Sequence, residues 1–161
     1  MALGDNTLRS AAGNSQRGRN PYMVETTLNW ATALSDKGSA LAASDVVPVI
    51  AVAKGTMILN AGIEVDTATD GSTFTVDLGT GVDPDVFVDG FDATSAAAVV
   101  AQNPAVYQPV MAVADDNIDV TIATLSGGAV SSGKFRVWAV LMDCTEMGDT
   151  AANEVARDAL A

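Results

Sequence analysis

This 161-residue chain contains no histidine. That removes the commonest general base, the Ser-His-Asp and Cys-His nucleophile systems, and the commonest metal ligand. A single cysteine, Cys144, cannot build an intrachain disulfide framework, so nothing calls for an oxidising compartment, and the thiol reads as a small apolar packer. Aromatic residues are scarce at 5%, although 48% of the chain is hydrophobic, so the core must be assembled from many small aliphatic side chains. Basic residues are also few, 8 against 20 acids for a formal charge of −12, which argues against a nucleic-acid surface built on clustered Lys and Arg. The longest apolar stretches, such as 46–53, fall far short of a membrane span, and the first twenty residues hold no signal-peptide run. The expectation is a protein made and used in the cytoplasm, or one that leaves it by cell lysis.

The length suits one domain with one core. Charge is unevenly spread along it. Residues 1–20 hold Arg9, Arg17 and Arg19 against Asp5, a net +2, whereas the other 141 residues carry five bases against nineteen acids, a net −14. Residues 1–22 mix Gly, Asn, Ser and Arg without periodicity and read as an extended basic arm that lacks a core of its own. Arg9, Arg17 and Arg19, with Pro21 and Tyr22, are the candidate partner-binding residues. They are expected to dock on an acidic or carbonyl-rich groove and to order there. The bland alternative is a solvated terminus.

Residues 23–146 carry recurring strand signals. In 24–30, Val24, Thr26, Leu28 and Trp30 fall on one side of an extended segment. A polar, Ala-rich passage follows, turning at Asp36-Lys37-Gly38-Ser39. Residues 46–52 look apolar enough for burial on both faces, and 56–66 alternates Met57, Leu59, Ala61, Ile63 and Val65. Residues 72–78 place Phe74, Val76 and Leu78 inward, with a short apolar piece at 86–88. Residues 92–103 read as loop. Three more strands are expected at 106–113, 118–125 and 134–142, the last with Phe135, Val137, Ala139 and Leu141 inward. Trp30 and Trp138 are each expected in the core. The tail, 147–161, can form a short helix over 151–161. Seven or eight short strands without alternating helices predict an all-β fold, an antiparallel jelly-roll-like β-sandwich with an extended N-terminal arm. Residues 48–53 (PVIAVA) and 109–114 (PVMAVA) match at a spacing of 61. Either two halves share one Greek-key geometry, or edge-strand chemistry has converged.

No reactive constellation emerges. No Gly-rich segment ends in Gly-Lys-Ser/Thr, so nucleotide binding has no motif. Asp83, Asp85, Asp89 and Asp92 crowd one stretch, but their spacing fails a calcium loop, and they read as turn formers around a short strand. No cofactor, no metal site and no catalytic residue is expected.

Gly55-Thr56-Met57-Ile58-Leu59-Asn60-Ala61-Gly62-Ile63-Glu64-Val65, Val76-Asp77-Leu78-Gly79-Thr80-Gly81 and Asp83-Pro84-Asp85-Val86-Phe87-Val88-Asp89-Gly90 resemble segments of small virion proteins of tailed phages, particularly marine phages and cyanophages. The family is that of capsid decoration, or cement, proteins, and the likeness spans about residues 24–144. The resemblance implies a jelly-roll-like body that assembles as a homo-oligomer, most often a trimer, on the exterior of the capsid. There it would bridge subunits of the major capsid protein. It implies no enzyme, no nucleic-acid partner and no membrane. Two other readings stand beside it: a virion fibre, spike or carbohydrate-binding module using Trp138, and an acid-acid glycosidase using Asp85 and Asp89.

Overall fold

A computed structural model describes residues 20–101 and 109–144. The strands are β1 (Tyr22–Asn29), β2 (Val46–Val52), β3 (Thr56–Thr67), β4 (Thr73–Thr80), β5 (Val88–Asp92), β6 (Val99–Ala101), β7 (Val110–Met111), β8 (Asp116–Ser126) and β9 (Lys134–Asp143), with helix α1 (Trp30–Lys37) after β1. One sheet runs β1-β9-β3-β6, with β7 also on β3, and the other runs β2-β8-β4-β5. All pairings are antiparallel. Since β9 takes one side of β3, β6 and β7 share the other as a single interrupted edge, and eight strand positions remain. This is the expected all-β sandwich, in the order of a double Greek key. No described helix is long and apolar enough to cross a membrane.

The echo at a spacing of 61 reflects a pseudo-two-fold relation between the sheets. In β2·β8, Ile50 faces Ile118. Adding 61 to the first and taking 61 from the second gives Met111 and Met57, which face each other in β3·β7. The same shift carries β4 onto β9 and overlays β1 with β5, so the two sheets have equivalent strand orders. Where the chain crosses between sheets, the Lys54 N–H donates to Asp115 Oδ1 at 2.9 Å, linking equivalent positions of the two crossings. Shared Greek-key geometry is therefore the right reading of the repeat. Both echoed segments are also edge strands.

Inward alternation builds the core. Phe74, Val76 and Leu78 of β4 and Phe135, Val137, Ala139 and Leu141 of β9 are buried as expected. Trp30 is fully buried, meeting Phe74 edge-on at 5.0 Å and Phe135 at 5.4 Å between ring centroids. This cluster concentrates large area burial in a core otherwise made, Phe87 apart, of Val, Ile, Leu and Ala.

Several expectations need correction. The passage after β1 is a helix, because the Asn29 side chain accepts from the Ala31 N–H and Gly38 closes the other end in a left-handed conformation. In β3 the expected alternation fails at its start. A bulge between Ile58 and Asn60 shifts the phase, so Ile58 points inward and Met57 does not, while Ala61, Ile63 and Val65 keep their inward places. β2 is an edge strand with Val46, Pro48 and Ala51 exposed, rather than buried on both faces. Pro48 donates no hydrogen bond, which suits an edge. The apolar piece at 86–88 becomes β5 over Val88–Asp92, and β6 lies within the stretch read as loop. Of 106–113, the described part forms only β7. The tail helix over 151–161 lies outside the described residues.

Candidate interaction surfaces

The outer face of the β2-β8-β4-β5 sheet carries two carboxylates. Val76 and Leu78 point inward, so Asp77 points out, and Asp119, turned away from the core between Ile118 and Val120, is nonetheless buried at 9% exposure. Asp77 is raised above the usual carboxylate range by burial and by the nearby Asp89 and Asp85 charges, against a lowering hydrogen bond from the Gly90 N–H. Burial and the neighbouring Asp116 raise Asp119. Gly79, opposite Asp119, lets the backbone of Asp83 and Pro84 lie against the sheet; a Cβ there would collide with both.

The other crowded carboxylates behave as turn residues. Asp83 is raised first by its hydrogen bond with Asp85, while Asp92 is lowered by accepting from the Thr94 hydroxyl and N–H. No metal-ligating cluster of three or more His, Cys, Asp or Glu occurs among the described residues. A glycosidase needs two carboxyls facing each other across a substrate, one of them raised. The raised groups here, Asp77, Asp83 and Asp119, do not line the groove at the end of the sandwich.

The outer face of the β1-β9-β3 sheet is different in chemistry. Trp138 lies on it, half-buried, over Gly62, where any Cβ would collide with the indole. Its expected place in the core is wrong: Val137 and Ala139 take the inward positions of β9, so the residue between them must point out. Rows set by the register put Met23 beside Val140, Glu25 beside Trp138, and Met57 beside Met142. Arg136 pairs with Glu64 and reaches Glu25 at 3.9 Å. Together these give a partly apolar face on which one arginine bridges two glutamates.

Of the candidate partner-binding residues, Arg9, Arg17 and Arg19 lie outside the described residues. Pro21 and Tyr22 are exposed where the chain enters β1, Tyr22 at 47%. Tyr22 pairs with Leu141, Leu141 with Ile58, and Ile58 with Val110, one row across four strands.

At the β7 end of that row sits a groove of about 410 Å³. Val52 and Ile58 of the core form its floor. Its rim is Val82, Met111 and Val113, exposed at 86%, 40% and 76%, with Asp115 and Asp116 beside them. Sequence reasoning missed this site. Its parts come from 52–58, 80–82 and 110–117, and only the sheet crossings bring them together. The available signal was the pair PVIAVA and PVMAVA, whose last residues border the two crossings.

No family model and no curated protein matches this sequence. Solved structures do match in shape. A chain from the cyanophage Pam1 capsid asymmetric unit aligns with a TM-score of 0.62 at 14% identity, over 88% of this chain and 97% of that one. A chain from the capsid of Ralstonia phage GP4 aligns with a TM-score of 0.54 at 17% identity, over 86% of this chain and 90% of that one. At such identities the likeness is one of fold: the chain has the two-sheet β-sandwich found in chains of these phage capsid structures.

Proposed function

We propose that the chain is a structural virion protein, a capsid decoration protein that binds the outside of a phage head and stabilises contacts between major capsid subunits. The observation that carries the reading is the near end-to-end match in fold to a chain of a cyanophage capsid. The surface chemistry supports it. The net charge of −12 discourages clumping of coated particles, and the outer face of the β1-β9-β3 sheet is partly apolar with an Arg136–Glu64 ion pair. Arg9, Arg17 and Arg19, with Pro21 and Tyr22, add a basic segment suited to acidic or carbonyl-rich grooves of the shell or of a neighbouring copy. The protein acts as a homo-oligomer, a trimer in the simplest arrangement on a shell, and carries out no reaction.

The test is stoichiometric. Mass photometry of the purified protein gives its oligomeric state, and co-sedimentation with heads assembled without it gives the number of copies bound. Saturable binding at a fixed ratio to major capsid subunits is expected. Failure to sediment with such heads at any concentration would remove the proposal.

A further inference from the structure

The groove at the end of the sandwich has an apolar floor, an exposed apolar rim and two carboxylates, Asp115 and Asp116. We propose that in the free protein it seats the chain's own amino-terminal segment, residues 1–19, with Leu8 over the apolar floor and Arg9 against the two carboxylates. The inference rests on the decoration reading only in naming what later competes for the segment, the shell.

Three observations point to this occupant. The first is position. Tyr22 lies in the same row as Val110, three strands away, or about 15 Å at the usual interstrand spacing. The chain before Tyr22 continues past that row towards the end where residues 112–117 border the groove. About five extended residues cross such a distance, and nineteen could span about 60 Å. The second is charge. Residues 1–19 carry three arginines against one aspartate, whereas residues 20–144 carry four bases against fifteen acids. The third is apolar surface: Val82, Met111 and Val113 stand exposed together on one rim. Within 1–19, Leu8-Arg9 puts an apolar side chain directly beside a cation.

The own-chain occupant outcompetes a neighbour's for a physical reason. Tethering so close gives an effective concentration of order millimolar, above the concentration of free copies in an ordinary preparation. The same contact keeps basic segments from cross-linking acidic bodies before assembly. A shell that offers a better surface then draws the segment out of the groove.

The experiment uses the full chain with Cys144→Ser, Ser10→Cys and Val113→Cys, oxidised at micromolar protein. An intrachain disulfide is expected, formed roughly tenfold faster at low salt than at 1 M salt, where screening shortens to about 3 Å. As an independent reading, trypsin should cut after Arg9 more slowly in the unmodified chain than in Val113→Lys, which removes the apolar rim and repels Arg9. No disulfide, an intrachain disulfide formed at equal rates at low and high salt, or one formed only between chains, together with equal trypsin rates, overturns the proposal. Co-sedimentation of the same variants with heads is scored separately. Normal head binding with an unseated segment refutes this seat and leaves the decoration reading standing, whereas a seated segment on protein that never binds heads does the reverse.

Discussion

Truncating Trp30 to alanine tests the account of the core where it is most concentrated. The side chain is fully buried and makes edge-on contacts with Phe74 at 5.0 Å and Phe135 at 5.4 Å. Removing a buried aromatic costs about 3–5 kcal/mol, with about 0.5–1.5 kcal/mol for each ring pair beyond area burial. One term acts in the other direction. The indole Nε1 is buried with no hydrogen-bond partner among the described residues, a penalty of about 1–3 kcal/mol that truncation relieves. The net expectation is a loss of about 3 kcal/mol or more, a large share of the roughly 5–15 kcal/mol of a typical domain. Trp30→Phe keeps most of the ring, removes the unpaired donor and should cost about 1 kcal/mol or less. Urea unfolding followed by circular dichroism measures both, provided the slope is unchanged. A loss below about 1 kcal/mol for Trp30→Ala would refute the placement of this cluster, and so would equal losses for both variants.

Gly79→Ala should cost about 2–3 kcal/mol in the same assay, because the new Cβ meets the backbone of Asp83 and Pro84, which cannot rotate away. Trp138→Ala, on the outer face, should cost far less than Trp30→Ala, and glycan binding lost through it would instead favour a carbohydrate-binding module. Stability should also depend on pH with two signs. Asp70 is lowered to about 2 by the Ser131 hydroxyl and the Ser131 and Ser132 N–H groups, so its contribution is complete above its unfolded value of 3.8 and is lost as pH falls towards 2. Asp77 and Asp119 are raised, so the folded state binds their protons first and stability gains as pH falls through their folded values towards 3.8. A urea midpoint that falls steadily from pH 7 to pH 4 would contradict that assignment.

Much of the fold was legible from period-two patterning. β4 and β9 alternate cleanly, and their inward residues are the ones the sequence marks. Where patterning misled, a local device had intervened. The β3 bulge changes which face Met57 takes, and a bulge leaves no mark in a string of apolar residues. Helix α1 depends on the Asn29 cap and on Gly38, and its weak apolar stripe hid it. Trp138 reads as core by residue type, but its position in the β9 alternation already places it outside. The groove was illegible because it belongs to the sheet crossings, which join three segments distant in sequence.

Heat resistance of the assembled head tests the central claim most directly. Binding to the shell and not to its dissociated subunits must stabilise the shell by mass action. Heads assembled without the protein, heated with and without saturating amounts of it, should release their contents at a higher temperature when it is bound, and Arg9, Arg17 and Arg19 changed together to serine should reduce that gain. Equal release temperatures with the protein demonstrably bound would contradict the account.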